Sequence, residues 1–201
     1  MKVISSILLF STLILATPFL GNTITFRIDT NHSNIGFAVP ISGGLSEVHG
    51  KFSRFDMDLV YDEKDITRSA VEVAIDVSSI DTGIDQRDEH LRTADFFDVP
   101  NHPKINFKSK KIEKKAGELI MTGDFTMRGV TKEISFPFKI AGKSMNEEGT
   151  KLSMGFTAEL KLNRTDYNVN YQHQAVPGFI GNEVTVYLNI LTRPATAMSD
   201  K

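Results

Sequence analysis

Apolar and polar residues alternate with a period of two along most of the chain, the spacing that sends successive side chains to opposite faces of a β-strand. The longest run sets Leu152, Met154, Phe156, Ala158, Leu160 and Leu162 against Ser153, Gly155, Thr157, Glu159 and Lys161, so one face is apolar and the other polar. The same rhythm marks Ile24 to Ile28, Ile35 to Val39, Phe55 to Tyr61, Val71 to Val77, Leu119 to Met127, Ile134 to Ile140 and Val184 to Ile190, with a further candidate from Lys104 to Ile112. A chain written this way is all-β.

These segments make about eight or nine strands, separated by turn residues such as Gly43-Gly44, Asp62-Glu63-Lys64-Asp65, Lys115-Ala116-Gly117 and Asn146-Glu147-Glu148-Gly149. Short turns favour antiparallel hairpins. One apolar face per strand is satisfied by a closed barrel or by a two-sheet sandwich, and alternation does not choose between them. Pro137 stands inside a strand pattern with no N–H to donate, so an edge, a bulge or a gap in the ladder is expected there, a place where a barrel could open.

Only Ile84 to Ala94 breaks the β rhythm at length, and its helix formers suit about three turns. The charged stretch Arg87-Asp88-Glu89-His90-Leu91-Arg92 runs into Phe96-Phe97, so part of it must pack on the barrel while its ionic groups pair or face water. That describes a cover or rim. Asp98-Val99-Pro100 and His102-Pro103 predict an extended exit, because a residue before proline avoids helical geometry.

With 201 residues and 40% hydrophobic content, the chain suffices for one domain with one core. A net charge of −2 gives no basic field for nucleic acid, and Lys108, Lys110, Lys111, Lys114 and Lys115 read as a solvated face. Lys2, an uncharged run from Val3 to Ala16, then Pro18 and Gly21 have the layout of a secretory signal, with an uncleaved anchor reaching Leu20 as the alternative. We expect residues 1–22 to be a signal peptide, 23–195 the barrel domain and 196–201 a tail. The absence of cysteine excludes disulfides, thiolate catalysis and Cys-ligated metals, and it fits a bacterial periplasm. Asn31-His32-Ser33 and Asn163-Arg164-Thr165 match a glycosylation pattern that short motifs meet by chance.

The inward positions are aromatic and flexible: Phe37, Phe52, Phe55, Phe107, Phe125, Phe136, Phe138 and Phe156, with Met57, Met121, Met127 and Met154. Such side chains either fill a core or line an adaptable cavity, and an eight-stranded barrel permits both. A cavity of this kind would select an apolar ligand. A lipid of about 40 heavy atoms at roughly 0.3 kcal/mol each could gain about 12 kcal/mol, near nanomolar affinity.

The five histidines, His32, His49, His90, His102 and His173, lack metal-site spacing, and Asp88-Glu89-His90 lacks the second histidine of a zinc-protease helix. G-x-S-x-G and the glycine-rich phosphate loops are absent, so no metal and no catalytic residue is expected. Arg87, Arg92 and Arg164 are candidates for ion pairs with Asp88, Asp95 and Asp166, or for contact with a polar ligand head at the barrel mouth.

A series of blocks resembles the YceI-like family of exported, lipocalin-like bacterial proteins that bind polyisoprenoids. They are His32-Ser33-Asn34-Ile35-Gly36-Phe37, Gly50-Lys51-Phe52, Ser78-Ser79-Ile80-Asp81-Thr82, Arg87-Asp88-Glu89-His90-Leu91 and Asp95-Phe96-Phe97-Asp98. Pro103 to Ser109, Gly123 to Thr131 and Asn163-Arg164-Thr165-Asp166-Tyr167 continue the series in the family's order. The resemblance implies an antiparallel lipocalin-like β-barrel of about eight strands, with a short helix near one opening and a pore for an isoprenoid chain. Pro40 to Leu45, where many members place a histidine, and the loop Tyr171 to Pro177 depart from the pattern and bear on head-group preference.

The chain is therefore expected to be a non-enzymatic, periplasmic or secreted carrier or store of a polyisoprenoid or isoprenoid quinone, needing no cofactor. The lipid contacts expected are Phe37, Val39, Phe52, Phe55, Phe107, Met121, Phe125, Met127, Phe136, Phe138, Met154 and Phe156. Arg87, Asp88, His90, Arg164 and Asp166 are expected at the head group or rim, with the helix segment and Pro177-Gly178-Phe179 as gates. Two alternatives are an interaction module passing quinone to membrane redox partners and an isomerase or hydrolase using His90 with Asp88 or Asp95; transient contact with a membrane or membrane protein, and a homodimer, are the further partners considered.

Overall fold

The computed structural model describes residues 23–145 and 152–195. The expected signal peptide, the Asn146 to Gly149 turn and the C-terminal tail lie outside the described residues. The strands are β1 (Thr23–Ile28), β2 (Asn34–Ile41), β3 (Ser46–Phe52), β4 (Phe55–Asp62), β5 (Ala70–Asp76) and β6 (Ile80–Asp81). After helix α1 (Asp85–Arg92) come β7 (Lys104–Lys115), β8 (Glu118–Met127), β9 (Val130–Met145), β10 (Leu152–Asn163) and β11 (Glu183–Pro194).

All pairings are antiparallel, and β1, β4, β5, β7, β8, β9, β10 and β11 close into a ring of eight through the β1–β11 pairing. The remaining strands continue the first three staves past a break. β11 pairs with β1 at Thr192 to Pro194 and with β2 at Thr185 to Asn189, so β1 and β2 are one stave interrupted by the turn Thr30–His32. β3 and β4 are separated only by Ser53-Arg54, and β5 and β6 by the turn Val77–Ser79. The result is an up-and-down barrel of eight staves, the barrel expected, and the closed ring excludes a sandwich.

Buried polar groups fix the breaks. Asp29 accepts hydrogen bonds from Arg193 Nε at 2.7 Å and His32 Nδ1 at 3.0 Å at the first. Asp76 accepts from the Ser78 amide at 3.0 Å, the Ser78 hydroxyl at 2.7 Å and Arg54 Nε at 3.1 Å, while the Arg54 amide donates to Ser79 Oγ at 3.0 Å. The second and third breaks are thereby stitched together. Each bend would otherwise orphan the backbone groups that a straight ladder satisfies.

β3 shows no clean alternation and is held by backbone pairing with β2, where Phe37 lies opposite Gly50. A Cβ at Gly50 would come within 2.4 Å of the Phe37 ring, so the glycine lets that ring lie across the neighbouring strand. α1 is shorter than the three turns expected. Thr93 leaves helical geometry at φ −74°, ψ 174°, and its hydroxyl donates to the His90 carbonyl at 2.8 Å. The exit is also tighter than expected: Asp98 takes φ +52° and its carbonyl accepts from the amides of Asn101 and His102, so extended chain resumes only at Lys104.

At Pro137 the ladder opens. β9 pairs with β10 from Met145↔Leu152 only as far as Phe138↔Ala158, one residue before the proline. Beyond it β9 keeps β8 and β10 keeps β11.

Candidate functional site

The barrel interior is filled at one end and hollow over the rest. Phe26, Met154 and Thr192 are fully buried where β1, β10 and β11 meet, and the Thr192 hydroxyl donates to the Met154 carbonyl at 3.1 Å. From there toward α1 runs a cavity of about 690 Å³. Its wall takes Ile28 and Ile35 from the first stave, Met57 and Leu59 from β4, Phe107 from β7, Met121 and Phe125 from β8, and Val186 and Leu188 from β11. The volume falls within the roughly 300–1,000 Å³ of ordinary ligand sites.

Of the expected lipid contacts, Phe37, Val39, Phe52, Phe107, Met121, Phe125, Met127, Phe136, Phe138 and Phe156 stand on this wall. Two do not. Met154 belongs to the filled end, because alternation assigns a side chain to a face and says nothing of its depth along the barrel. Phe55 opens β4 directly after the Ser53-Arg54 bend and packs half-buried against the core, off the cavity wall.

Polar lining gathers mostly at the helix end, where Arg87, His90, Arg164 and His173 reach the wall. At the opposite end stand Tyr61, whose hydroxyl accepts from Lys143 Nζ at 2.6 Å, and Ser69. The arginines do not form the expected carboxylate pairs. Arg164, 4% exposed, donates to the carbonyls of Val169 at 2.6 Å, Gly181 at 2.9 Å and Ile180 at 3.3 Å. Arg92 donates to those of Ser78 and Ile80 at 2.9 and 3.0 Å, and Arg87 to the Thr82 hydroxyl and carbonyl, both at 2.7 Å. Where strands end or bend, backbone carbonyls lose their ladder partners, and a guanidinium fork supplies several N–H groups at once. Burial pushes the Arg164 guanidinium down from its ordinary value, and the carbonyls compensate for the lost water.

Two of the expected rim acids are off the cavity. Asp88 is buried and accepts from the Thr82 amide at 3.0 Å and hydroxyl at 2.5 Å, which fixes the turn into α1. Asp166 faces outward and pairs with Lys132 at 3.1 Å.

The α1 segment covers the helix-end opening. Phe96 packs on Tyr171 with ring centroids 4.7 Å apart, the His90 ring stands edge-on to both at 5.1 Å, and Phe97 meets Phe52 at 6.2 Å. Arg128, in the β8–β9 turn, donates to the carbonyls of Ala94 and Asn168 and ties the cover to the loop after β10. The first atypical stretch is bonded to the chain just past the second: the Ser42 amide donates to Phe179 O and the Gly181 amide to Pro40 O, each at 2.8 Å. Phe179 lines the cavity, while Leu45, Ile84 and Val176 are exposed apolar residues at this end. His90 Nε2 lies 2.9 Å from Asp95, and among the described residues no hydroxyl bonds to the His90 ring.

These features define a class: an eight-staved antiparallel barrel enclosing an elongated apolar cavity, capped at one end by a short helix. The YceI-like domain matches residues 26–191, and the chain belongs to that family. Protein YceI of Escherichia coli is 36% identical over 146 residues, 72% of this chain and 75% of the relative. Burkholderia cenocepacia BcnA superposes with a TM-score of 0.72 at 20% identity, covering 82% of this chain and 98% of that one. A domain from Saccharophagus degradans described as polyisoprenoid-binding superposes with a TM-score of 0.65 at 14% identity, covering 85% and 99%.

Three wall residues stand outside the expected lipid contacts but in segments that the sequence singles out, Phe179 in the expected gate and Tyr171 and His173 in the atypical loop, where no periodicity points inward. Leu188 and Val186 were visible in the β11 alternation.

Proposed function

We propose that the protein binds the chain of a polyisoprenoid, or the isoprenoid tail of a quinone, in the central cavity and carries or stores it without chemical change. The observation that carries this reading is the distribution of polarity: a long apolar wall with its charged lining groups at the helix end. A chain with a polar head at one terminus matches that order, and burial of its methyl and methylene groups supplies the affinity. Family membership and the polyisoprenoid-binding name of a domain with the same fold support it. The Lys2 to Gly21 pattern supports export to the periplasm, where such a carrier would take lipid from a membrane and return it.

Geranylgeraniol offered to the delipidated protein should bind one per chain. Phe125→Asp, which places a carboxylate on the apolar wall, should stay folded by circular dichroism and weaken binding roughly a hundredfold or more. Full binding by the folded variant would overturn the cavity assignment.

A further inference from the structure

The wall between β9 and β10 is incomplete over the helix-end part of both strands. Past Phe138↔Ala158 no register joins the two strands, although β9 runs on to Val130 and β10 to Asn163. An open surface groove of about 440 Å³ lies over the parting, lined by Ile134 to Pro137 on one side and Glu159 to Leu162 on the other. Phe136, Leu160 and Leu162 line this groove and the central cavity alike, so side chains alone stand between outside and inside. Ser135, Pro137, Glu159 and Lys161 form the exposed outer lip.

The helix end is closed differently. Its cover is tied by Arg92 to Ser78 and Ile80, by Arg128 to Ala94 and Asn168, and by Asp88 to Thr82, so displacing it breaks several charge-assisted bonds together. Parting the seam requires rotation of apolar side chains and, at one limit, release of an exposed ion pair. At its helix-end limit one ion pair crosses it, Lys132 with Asp166 at 3.1 Å, beside the Tyr167 ring, which lies 5.8 Å from Lys132 Nζ.

We propose that the β9–β10 seam is a lateral portal, an apolar subsite through which a chain-like ligand passes between the central cavity and the exterior, with Lys132–Asp166 as its latch. This rests on the chain-binding reading of the central cavity. The shared apolar residues Phe136, Leu160 and Leu162 assign the same ligand to the groove and the central cavity. The portal also gives Pro137 a role, since its missing N–H keeps the ladder from closing over the opening.

The chain has no cysteine, so a pair introduced across the seam is unique. Ser135→Cys with Lys161→Cys places two thiols opposite one another on the outer lip, in the register that Phe138↔Ala158 would continue. The double variant is joined with a short thiol-cleavable crosslinker, and uptake of geranylgeraniol from phosphatidylcholine vesicles is followed by mass spectrometry before joining, after joining and after cleavage. Before joining, the final bound amount should match the parent protein, since neither residue lines the central cavity, and the uptake rate of this unjoined variant is the reference for the joined one. Joining should slow uptake and release about tenfold or more, and cleavage should restore them, which shows that the fold was intact. Asp166→Asn should speed exchange about two- to fivefold. Unchanged rates in the joined protein, with normal binding, would overturn the portal alone. Absence of binding by the parent protein would overturn the cavity reading and the portal with it.

Discussion

The half of the barrel around Phe26 and Met154 and the half beneath α1 are built from the same staves but are closed by different means. In the first, every stave is laddered to its neighbours around the ring, with bulges in the β7–β8 and β9–β10 ladders, and large side chains fill the interior. In the second, three staves are broken, β9 and β10 have parted, and closure falls to arginine forks, aspartate turns and aromatic contacts. Continuous ladders need no particular side chain at any one place, so the first half is specified mainly by pattern, with the buried Asp62, which accepts from the Lys64 and Asp65 amides at 2.9 Å, as an exception. The second depends on single residues, and that half carries the polar groups of the site.

The largest effect separating the halves should come from Phe26→Ala. Phe26 is fully buried, packs edge-on to Tyr61 at 6.0 Å and stays off the cavity wall, so truncation leaves a void in the filled end. Urea unfolding should show a loss of about 3–5 kcal/mol. Arg164→Met should follow, at about 2–4 kcal/mol, because the three carbonyls it serves lose their donors. Hydrogen exchange should accelerate in residues 169–181 of that variant while β8 keeps its protection.

Gly50→Val should cost about 1–3 kcal/mol by forcing the Phe37 ring off its seat, and it should alter ligand affinity because Phe37 lines the cavity. The same change at Gly142, which has nothing within 4 Å, should have a far smaller effect.

Acid should separate the breaks from the ladders more gently. Burial opposes ionisation of Asp29, but the bonds from Arg193 and His32 outweigh it and hold the carboxyl below its ordinary 3.8. For Asp76 the Ser78 hydroxyl is the main cause, helped by Arg54 and the Ser78 amide against a smaller burial penalty. Both folded values lie below the unfolded ones, so their contribution is present above the ordinary carboxylate range and disappears as pH falls through the depressed values. Amides at the breaks, Ser78 among them, should lose protection in that window before those of the β10–β11 ladder. Smallest of all, Lys108→Ala removes an exposed pair with Glu72 and should leave the unfolding midpoint unchanged within scatter.

Much of the first half was legible in the alternation, because a period of two states which residues face inward and turn chemistry states where strands reverse. Pro137 belongs with it, since a missing donor is a property of the residue itself. β3 escaped because Ser46-Glu47-Val48-His49-Gly50-Lys51-Phe52 carries few apolar residues and pairs through its backbone. The arginine partners escaped for a related reason: carbonyl acceptors leave no mark in a sequence, whereas Asp88, Asp95 and Asp166 stood in view and were spent on Thr82, His90 and Lys132 instead. Met154 shows the limit most simply, being correctly inward and yet at the filled depth.

The central claim is that the hollow part of this barrel holds a long isoprenoid chain. The direct measurement is to purify the protein under native conditions from its own host, extract it with organic solvent and identify what it carried by mass spectrometry. A single dominant polyisoprenoid or isoprenoid quinone near one per chain is the result expected. A protein that comes out empty and then fails to take up added isoprenoids would contradict the account.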